Sequence, residues 1–202
     1  MEKKIVLASG NQGKAREFSA MLEPLGYTII LQKELGISSP EETGKSFLEN
    51  AMLKARYASE QSGLPALADD SGLCVDYLNG EPGIYSARFA GVHGDHGSDE
   101  ENNKKLLSLL KNVKDSERTA RYWCALCLVR HPKDPVPYTV MGHWEGSIGY
   151  EPVGSNGFGY DPIFRVTGRN LTAAQLPPQI KNLISHRGVA LRRLVDLLDY
   201  GK

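Results

Sequence analysis

Apolar positions early in the chain fall into a strand, turn, helix order. Ile5 to Ala8 is a short apolar run that stops at Ser9-Gly10-Asn11, and Phe18, Met21, Leu22 and Leu25 then recur at helical spacing. Thr28 to Leu31 predicts a second strand. Leu48, Ala51, Met52 and Ala55 repeat the helical spacing after the acidic, turn-rich segment from Ser38 to Gly44. Pro65 to Ala68 predicts a third strand, ending in a turn at Asp69-Asp70-Ser71-Gly72. Ser98-Asp99-Glu100-Glu101 has the spacing of a capping box and leads into Leu106, Leu109, Leu110 and Val113, one helical stripe. Two strand-like runs, Arg121 to Arg130 and Val136 to Glu145, flank His131-Pro132-Lys133-Asp134-Pro135 and predict a long hairpin. Leu191, Leu194, Val195 and Leu198 form a last amphipathic helix, entered from Ser185-His186-Arg187-Gly188. Strand and helix alternation followed by a hairpin predicts an α/β protein with a mixed sheet flanked by helices. The chain shows no internal repeat, low-complexity tract or linker, so residues 1–202 are expected to form a single domain without a firm internal boundary.

Composition narrows the classes. The 202 residues are 41% hydrophobic and 24% charged, the balance of an ordinary globular protein. Twenty-four basic residues offset 24 acidic ones, so no global field draws the chain onto nucleic acid or an anionic membrane, and a polyanionic ligand must be gripped locally. The apolar run at the start is too short for a signal peptide and no later run approaches a membrane span, which makes the cytoplasm the expected location. Of the three cysteines, Cys124 and Cys127 share a strand-like run at an odd separation. Alternation along a strand puts them on opposite faces, as buried structural thiols rather than a redox or metal pair.

Several segments carry residues suited to phosphate chemistry. Ser9-Gly10-Asn11-Gln12-Gly13-Lys14 lies where a strand feeds a helix, and backbone N–H groups at such a helix start can hold phosphate. It is not a Walker loop, since only two residues separate its glycines and Ala15 follows the lysine; alone it reads equally as an ordinary βα turn. Two acidic pairs, Glu41-Glu42 and Asp69-Asp70, stand near expected element ends. One carboxylate from each would suffice for Mg2+, which commonly takes one or two with water and substrate phosphate completing its shell. The bland alternatives are a helix start for the first pair and a turn for the second. Lys54, on the flank of its helix beside Asn50 and Phe47, is a candidate for the same crevice or a solvated lysine. Gly157-Phe158-Gly159-Tyr160-Asp161-Pro162 can lay a ring on a base or simply bury an aromatic in a tight turn. Lys181 and Ser185-His186-Arg187 place donors before the last helix, where surface or capping roles are the alternative. His93 and His96 read as part of a solvated loop, since no further ligand has a spacing that defines a metal site.

The ordered set S-G-N-Q-G-K, E-E-T-G-x-x-F-x-E-N-A-x-x-K-A, A-D-D-S-G-L, P-G-I-Y-S-A-R, G-F-G-Y-D-P-I-F and K-N-x-I-S-H-R-G resembles the inosine triphosphate pyrophosphatase family, from Ser9 to Gly188. The resemblance implies an elongated mixed α/β fold of two lobes with the active site in the cleft between them, a homodimer, and hydrolysis of deaminated purine nucleoside triphosphates to the monophosphate and pyrophosphate. It implies that Ser9, Gly10, Asn11, Gln12, Gly13 and Lys14 hold the triphosphate, that Glu42 and Asp70 serve Mg2+, and that Asp70 is the general base with Asp69 assisting. Lys54 would touch phosphate. Ser71, Phe158, Gly159, Tyr160, Asp161, Lys181, His186 and Arg187 would form the substrate pocket, with Phe158 stacking on the base. Departures from the family pattern lie at Gln175, commonly Glu, at Pro177-Pro178-Gln179-Ile180, normally acidic, and in the loop from Gly91 to Gly97. Rival readings are a Maf-like pyrophosphatase acting on pyrimidine or modified nucleotides, a nucleic-acid-binding module, and a purely structural interaction protein. Zero net charge and paired acids oppose the nucleic-acid module.

Overall fold

The chain carries six strands and five α-helices among the residues described in the computed structural model, 3–91 and 97–199. The strands are β1 (Lys3–Leu7), β2 (Tyr27–Leu31), β3 (Ala66–Val75), β4 (Thr119–Val129), β5 (Tyr138–Ile148) and β6 (Phe164–Val166). The helices are α1 (Gln12–Leu22), α2 (Phe47–Ser62), α3 (Asp99–Leu109), α4 (Pro178–Ile184) and α5 (His186–Asp199). One sheet has the order β2-β1-β3-β4-β5-β6; β1 runs parallel to β2 and β3, while β6 is antiparallel to β5. The sheet is therefore mixed, as the strand and helix pattern implies. No described helix is long and apolar enough to cross a membrane.

By internal contacts the chain divides into two units. The first comprises Met1–Asp70, Cys124–Gly142 and Val189–Lys202; the second comprises Ser71–Trp123 and His143–Gly188.

In the first unit, alternation along each strand separates two cores. Ile5, Leu7, Leu67, Cys124, Leu126 and Leu128 pack with Ala15, Phe18 and Leu22 of α1 and with Ala190, Leu191 and Leu194 of α5. The intervening residues Val6, Ala8, Ala66, Ala68, Ala125, Cys127 and Val129 pack with Ala51, Ala55 and Ala58 of α2. Cys124 and Cys127 thus lie in different cores, as their odd separation requires, and neither is joined in a disulfide. Burial pushes the Cys127 thiol up to about 11, which keeps it unreactive.

The second unit has one core, in which Leu73, Tyr122, Trp144, Ile148 and Phe164 of the strands meet Leu106 of α3, with Leu110 and Val113 just beyond that helix. The Ser98 capping box forms: Ser98 Oγ accepts the Glu101 N–H at 3.1 Å and Glu101 Oε2 accepts the Ser98 N–H at 2.9 Å. Arg118, fully buried, donates to the carbonyls of Leu110, Ile148 and Gly149, so its charge is spread over three backbone dipoles.

Three local expectations are corrected. Asp69-Asp70-Ser71-Gly72 is not a turn, because β3 continues to Val75. The register with β1 ends at Leu67, so beyond it β3 is carried by β4, its neighbour on the other edge, and that pairing outweighs turn-prone side chains. The stripe ending at Val113 is helical only to Leu109, and Leu109 itself is exposed. Lys181 precedes the last helix as expected, but in a helix of its own, α4, which begins at Pro178, where the missing N–H costs nothing, whereas His186 and Arg187 lie inside α5 rather than before it. His93 and His96 lie outside the described residues.

Candidate active site

Two groups of the expected site residues are assembled, one in each unit. In the first, β3 projects Asp69 and Asp70 to opposite faces, the geometry any two adjacent strand residues must have. Asp69 follows the phase of Leu67 and pairs with Lys14 of α1, Nζ to Oδ2 3.0 Å. Asp70 follows Ala66 and Ala68 and pairs with Lys54 of α2, Nζ to Oδ1 2.8 Å. Each buried aspartate is thus neutralised by a lysine from the helix covering its own face.

Lys54 also reaches Glu42, Nζ to Oε1 2.7 Å, so two carboxylates converge on one ammonium. Glu42 is half-buried and Glu41 exposed, which makes Glu42 the member of that pair turned to the cluster. The pair does not start a helix, since α2 begins at Phe47 behind a Ser46 cap. Asn50, one turn before Lys54 on α2, donates from Nδ2 to Asp70 Oδ2 at 3.3 Å and accepts the Gly44 N–H on Oδ1 at 2.8 Å. A Cβ at Gly44 would stand 2.5 Å from that same oxygen, so the glycine is what allows the segment carrying Glu42 to lie against Asn50.

Burial raises the carboxyl of Asp70 above its ordinary pKa; Lys54 opposes this and the Glu42 charge adds to it, leaving the net shift upward. For Lys54 burial acts against the ammonium, but the charges of Asp70, Asp69 and Glu42 outweigh it and raise its pKa. The cluster holds a lysine that stays charged beside a carboxylate eased toward protonation.

The segment from Ser9 to Lys14 forms the entry to α1. Asn11 is the N-cap, its side chain accepting the Lys14 N–H at 3.0 Å, and Ser9 Oγ accepts the Asn11 N–H at 3.2 Å. Gln12 and Gly13 open the first turn, whose amides have no intrahelical acceptor. A Cβ at Gly10 would meet nothing within 4 Å among the described residues, so packing against them does not demand that glycine.

In the second unit, Phe158 is half-buried between cations: Lys181 Nζ lies 4.6 Å and Arg187 Cζ 5.7 Å from its ring centroid. Lys181 is buried and bonded to Asp161, Nζ to Oδ2 2.6 Å, and the same oxygen accepts the Phe158 N–H at 2.9 Å. Arg187 is buried and donates to Ser71 Oγ at 3.0 Å. His186 stacks on Tyr122, centroids 4.7 Å apart and planes within 8°, with Trp144 beyond. Tyr160 points into the core, its hydroxyl donating to the Ser86 carbonyl at 2.8 Å.

The corner between α4 and α5 is tight enough that a Cβ at Gly188 would come 1.9 Å from the Asn182 carbonyl oxygen. This glycine lets one short stretch carry both Lys181 and Arg187 into the Phe158 group. The departure at Gln175 is absorbed, since its amide oxygen accepts the Thr172 N–H at 2.9 Å in a capping box, as a carboxylate would.

Sequence reasoning passed over Asn50, Tyr122 and Trp144 as site residues. Asn50 had a signal, one helical turn from Lys54 on the same face, whereas Tyr122 and Trp144 read only as core aromatics. No group of three or more His, Cys, Asp and Glu side chains is arranged to hold a metal among the described residues.

Comparison with known proteins agrees over nearly the whole length. The chain is 52% identical to the dITP/XTP pyrophosphatase of Vibrio cholerae over 197 residues, 98% of this chain and 97% of that one. The HAM1 protein structure from Coxiella burnetii superposes with a TM-score of 0.89 at 47% identity, covering 98% of this chain and 99% of that one. The Ham1 protein structure of Staphylococcus aureus gives 0.85 at 42% identity, with 99% and 100% covered. The model of the Ham1 family matches residues 5–197, and with its motifs, fold and relatives in agreement the chain belongs to the Ham1 family.

Proposed function

We propose that this chain is a Mg2+-dependent, cytoplasmic, homodimeric pyrophosphatase that converts deaminated purine nucleoside triphosphates, those of inosine, deoxyinosine and xanthosine, to the monophosphate and pyrophosphate. The observation that carries the reading is Asp70, a carboxylate buried in a central strand between Lys54 and Asn50. Relatives named dITP/XTP pyrophosphatase, at about 52% identity, support the substrate class.

Glu42 and Asp70 fit Mg2+ on the chemistry of the donor set: both offer carboxylate oxygens, the ligands a hard cation takes, and both already converge on one positive charge, Lys54. When bound, the ion would neutralise triphosphate charge and make the phosphorus more open to attack.

The chain supplies the rest. Asp70 orients a water and takes its proton, a role suited by a carboxyl pKa displaced upward by burial. The water oxygen bonds to the α phosphorus, the bond from that phosphorus to the bridging oxygen breaks, and pyrophosphate leaves with the electron pair. Lys14 and Lys54 stabilise the charge that collects on the leaving group. Phe158 stacks on the base, and Lys181 and Arg187 offer donors to its edge.

Phosphorus NMR of inosine triphosphate turnover with Mg2+ tests this directly. Pyrophosphate and monophosphate should appear together with no diphosphate; orthophosphate as the first product would overturn the reading.

A further inference from the structure

Phe158 sits between two glycines in the left-handed region, Gly157 at φ 78° and Gly159 at φ 63°. Left to itself such a segment samples many conformations, because glycine gives the backbone wide freedom. The Gly157 side of the loop is held locally by Asp161, and a Cβ at Gly157 would lie 2.0 Å from Asp161 Oδ2. The Gly159 side is held from elsewhere. Its N–H donates to Asp99 Oδ2 at 2.6 Å and its carbonyl accepts from Asn103 Nδ2 at 3.1 Å. Asp99 and Asn103 are four residues apart on α3 and so share a face, one presenting an acceptor and the other a donor to a single glycine.

The Asn103 amide is buried, and its Oδ1 has no hydrogen-bond partner among the described residues. Exchanging its nitrogen and oxygen would set two acceptors against each other at Gly159, so this contact dictates the amide's orientation. A buried amide with half its capacity unused is a poor choice for stability alone. Leucine would fill a similar volume and leave no unsatisfied oxygen.

We propose that Asp99 and Asn103 are positioning residues for base recognition, a clamp on Gly159 that holds the Phe158 ring in place against Lys181 and Arg187. The proposal rests on the reading of Phe158 as the residue that stacks on the base. The remainder of the loop is anchored separately, through Tyr160 to Ser86 and Asp161 to Lys181. Releasing Gly159 therefore loosens Phe158 on one side only, its N–H staying bonded to Asp161, without detaching the loop.

The test compares Asp99→Ala, Asp99→Asn and Asn103→Leu in the full-length protein, alone and combined with Phe158→Ala. Asp99→Ala and Asn103→Leu should each raise KM for inosine triphosphate by about tenfold with kcat changed by less than about threefold. Asp99→Asn, whose amide oxygen still accepts, should stay within about threefold of the parent in KM. Inhibition by inorganic tripolyphosphate, which has no base, should be unchanged, and neither substitution should add to the effect of Phe158→Ala. Asn103→Leu should unfold at a temperature no lower than the parent. An unchanged KM, full additivity with Phe158→Ala, or loss of KM and kcat in parallel with a lowered Tm would overturn the clamp. Amide hydrogen exchange at Gly159 separates this from the functional reading. If the parent protein fails to turn over inosine triphosphate, that reading falls by itself, and the clamp stands or falls on whether Asp99→Ala speeds exchange at Gly159 by about tenfold or more with Tm preserved.

Discussion

Lys54 Nζ lies 2.8 Å from Asp70 Oδ1 and 2.7 Å from Glu42 Oε1, so a single buried ammonium bridges two carboxylates on one face of the sheet. Under the proposed function, Lys54 exchanges these partners for phosphate oxygens when another cation takes up the carboxylates.

Asp70→Asn preserves shape and retains an oxygen that Lys54 can reach, while removing both the proposed base and a negative charge. We expect kcat to fall by about a thousandfold or more. Because the carboxyl of Asp70 is raised by burial, the folded state gains nothing from its ionisation, and Tm should remain within a few degrees of the parent. Parallel turnover and thermal unfolding measurements check this, and a folded variant with near-normal turnover would remove Asp70 from the mechanism.

Lys54→Met leaves Asp70 and Glu42 facing each other without their shared cation. Breaking a buried pair from one side should cost about 3 kcal/mol at neutral pH. The pH dependence has a definite sign. A carboxyl whose folded pKa exceeds its unfolded value contributes stability that is full below the unfolded pKa, about 3.9 for Asp, and lost as pH rises through the folded pKa. Without Lys54 the Asp70 carboxyl moves further upward, so the deficit should widen between pH 5 and pH 7.5 in urea unfolding. Adding Asp70→Asn should recover most of it. A deficit independent of pH would contradict the account.

Asp134 behaves in the opposite sense. Its carboxylate accepts from the Arg130 backbone and guanidinium and from the Val136 N–H, closing the loop between β4 and β5, and the Arg130 hydrogen bonds foremost hold its pKa well below the usual carboxylate range. A depressed folded pKa contributes stability above the unfolded value, about 3.9, that is lost as pH falls through the folded one. Asp134→Ala should therefore melt below the parent at pH 7, and the two curves should converge as the solution is made strongly acidic. Parallel curves at every pH would show that the carboxylate charge is irrelevant to this loop.

Arg187→Ala tests how the base is chosen. Inosine and guanosine share the oxygen at C6 and differ by the amino group at C2, so an edge of donors penalises the amino group with an unmatched donor. The ratio of kcat/KM for inosine triphosphate over guanosine triphosphate should fall by about tenfold, the equivalent of 1.4 kcal/mol. Equal losses on both substrates would reduce Arg187 to general binding.

What the sequence determined by itself rests on near neighbours in the chain. The Ser98 capping box, the Asn11 entry to α1, the opposite faces of Cys124 and Cys127 and the apolar stripe of α5 all follow from spacings of one to four residues, where helix and strand geometry leave little choice. The motifs likewise named Glu42, Lys54, Asp70, Phe158, Lys181 and Arg187. Tertiary structure decided which of these meet. Asp69 and Asp70 are indistinguishable as adjacent acids, and only helices packed on opposite faces of β3 assign Lys14 to one and Lys54 to the other. The Asp69 to Gly72 segment became strand because β4 lies beside β3, a pairing between residues far apart in the chain that local turn preference cannot register. Asn103 shows the same limit: its helix was legible, but its grip on Gly159, 56 positions away, exists only once the fold has closed that distance.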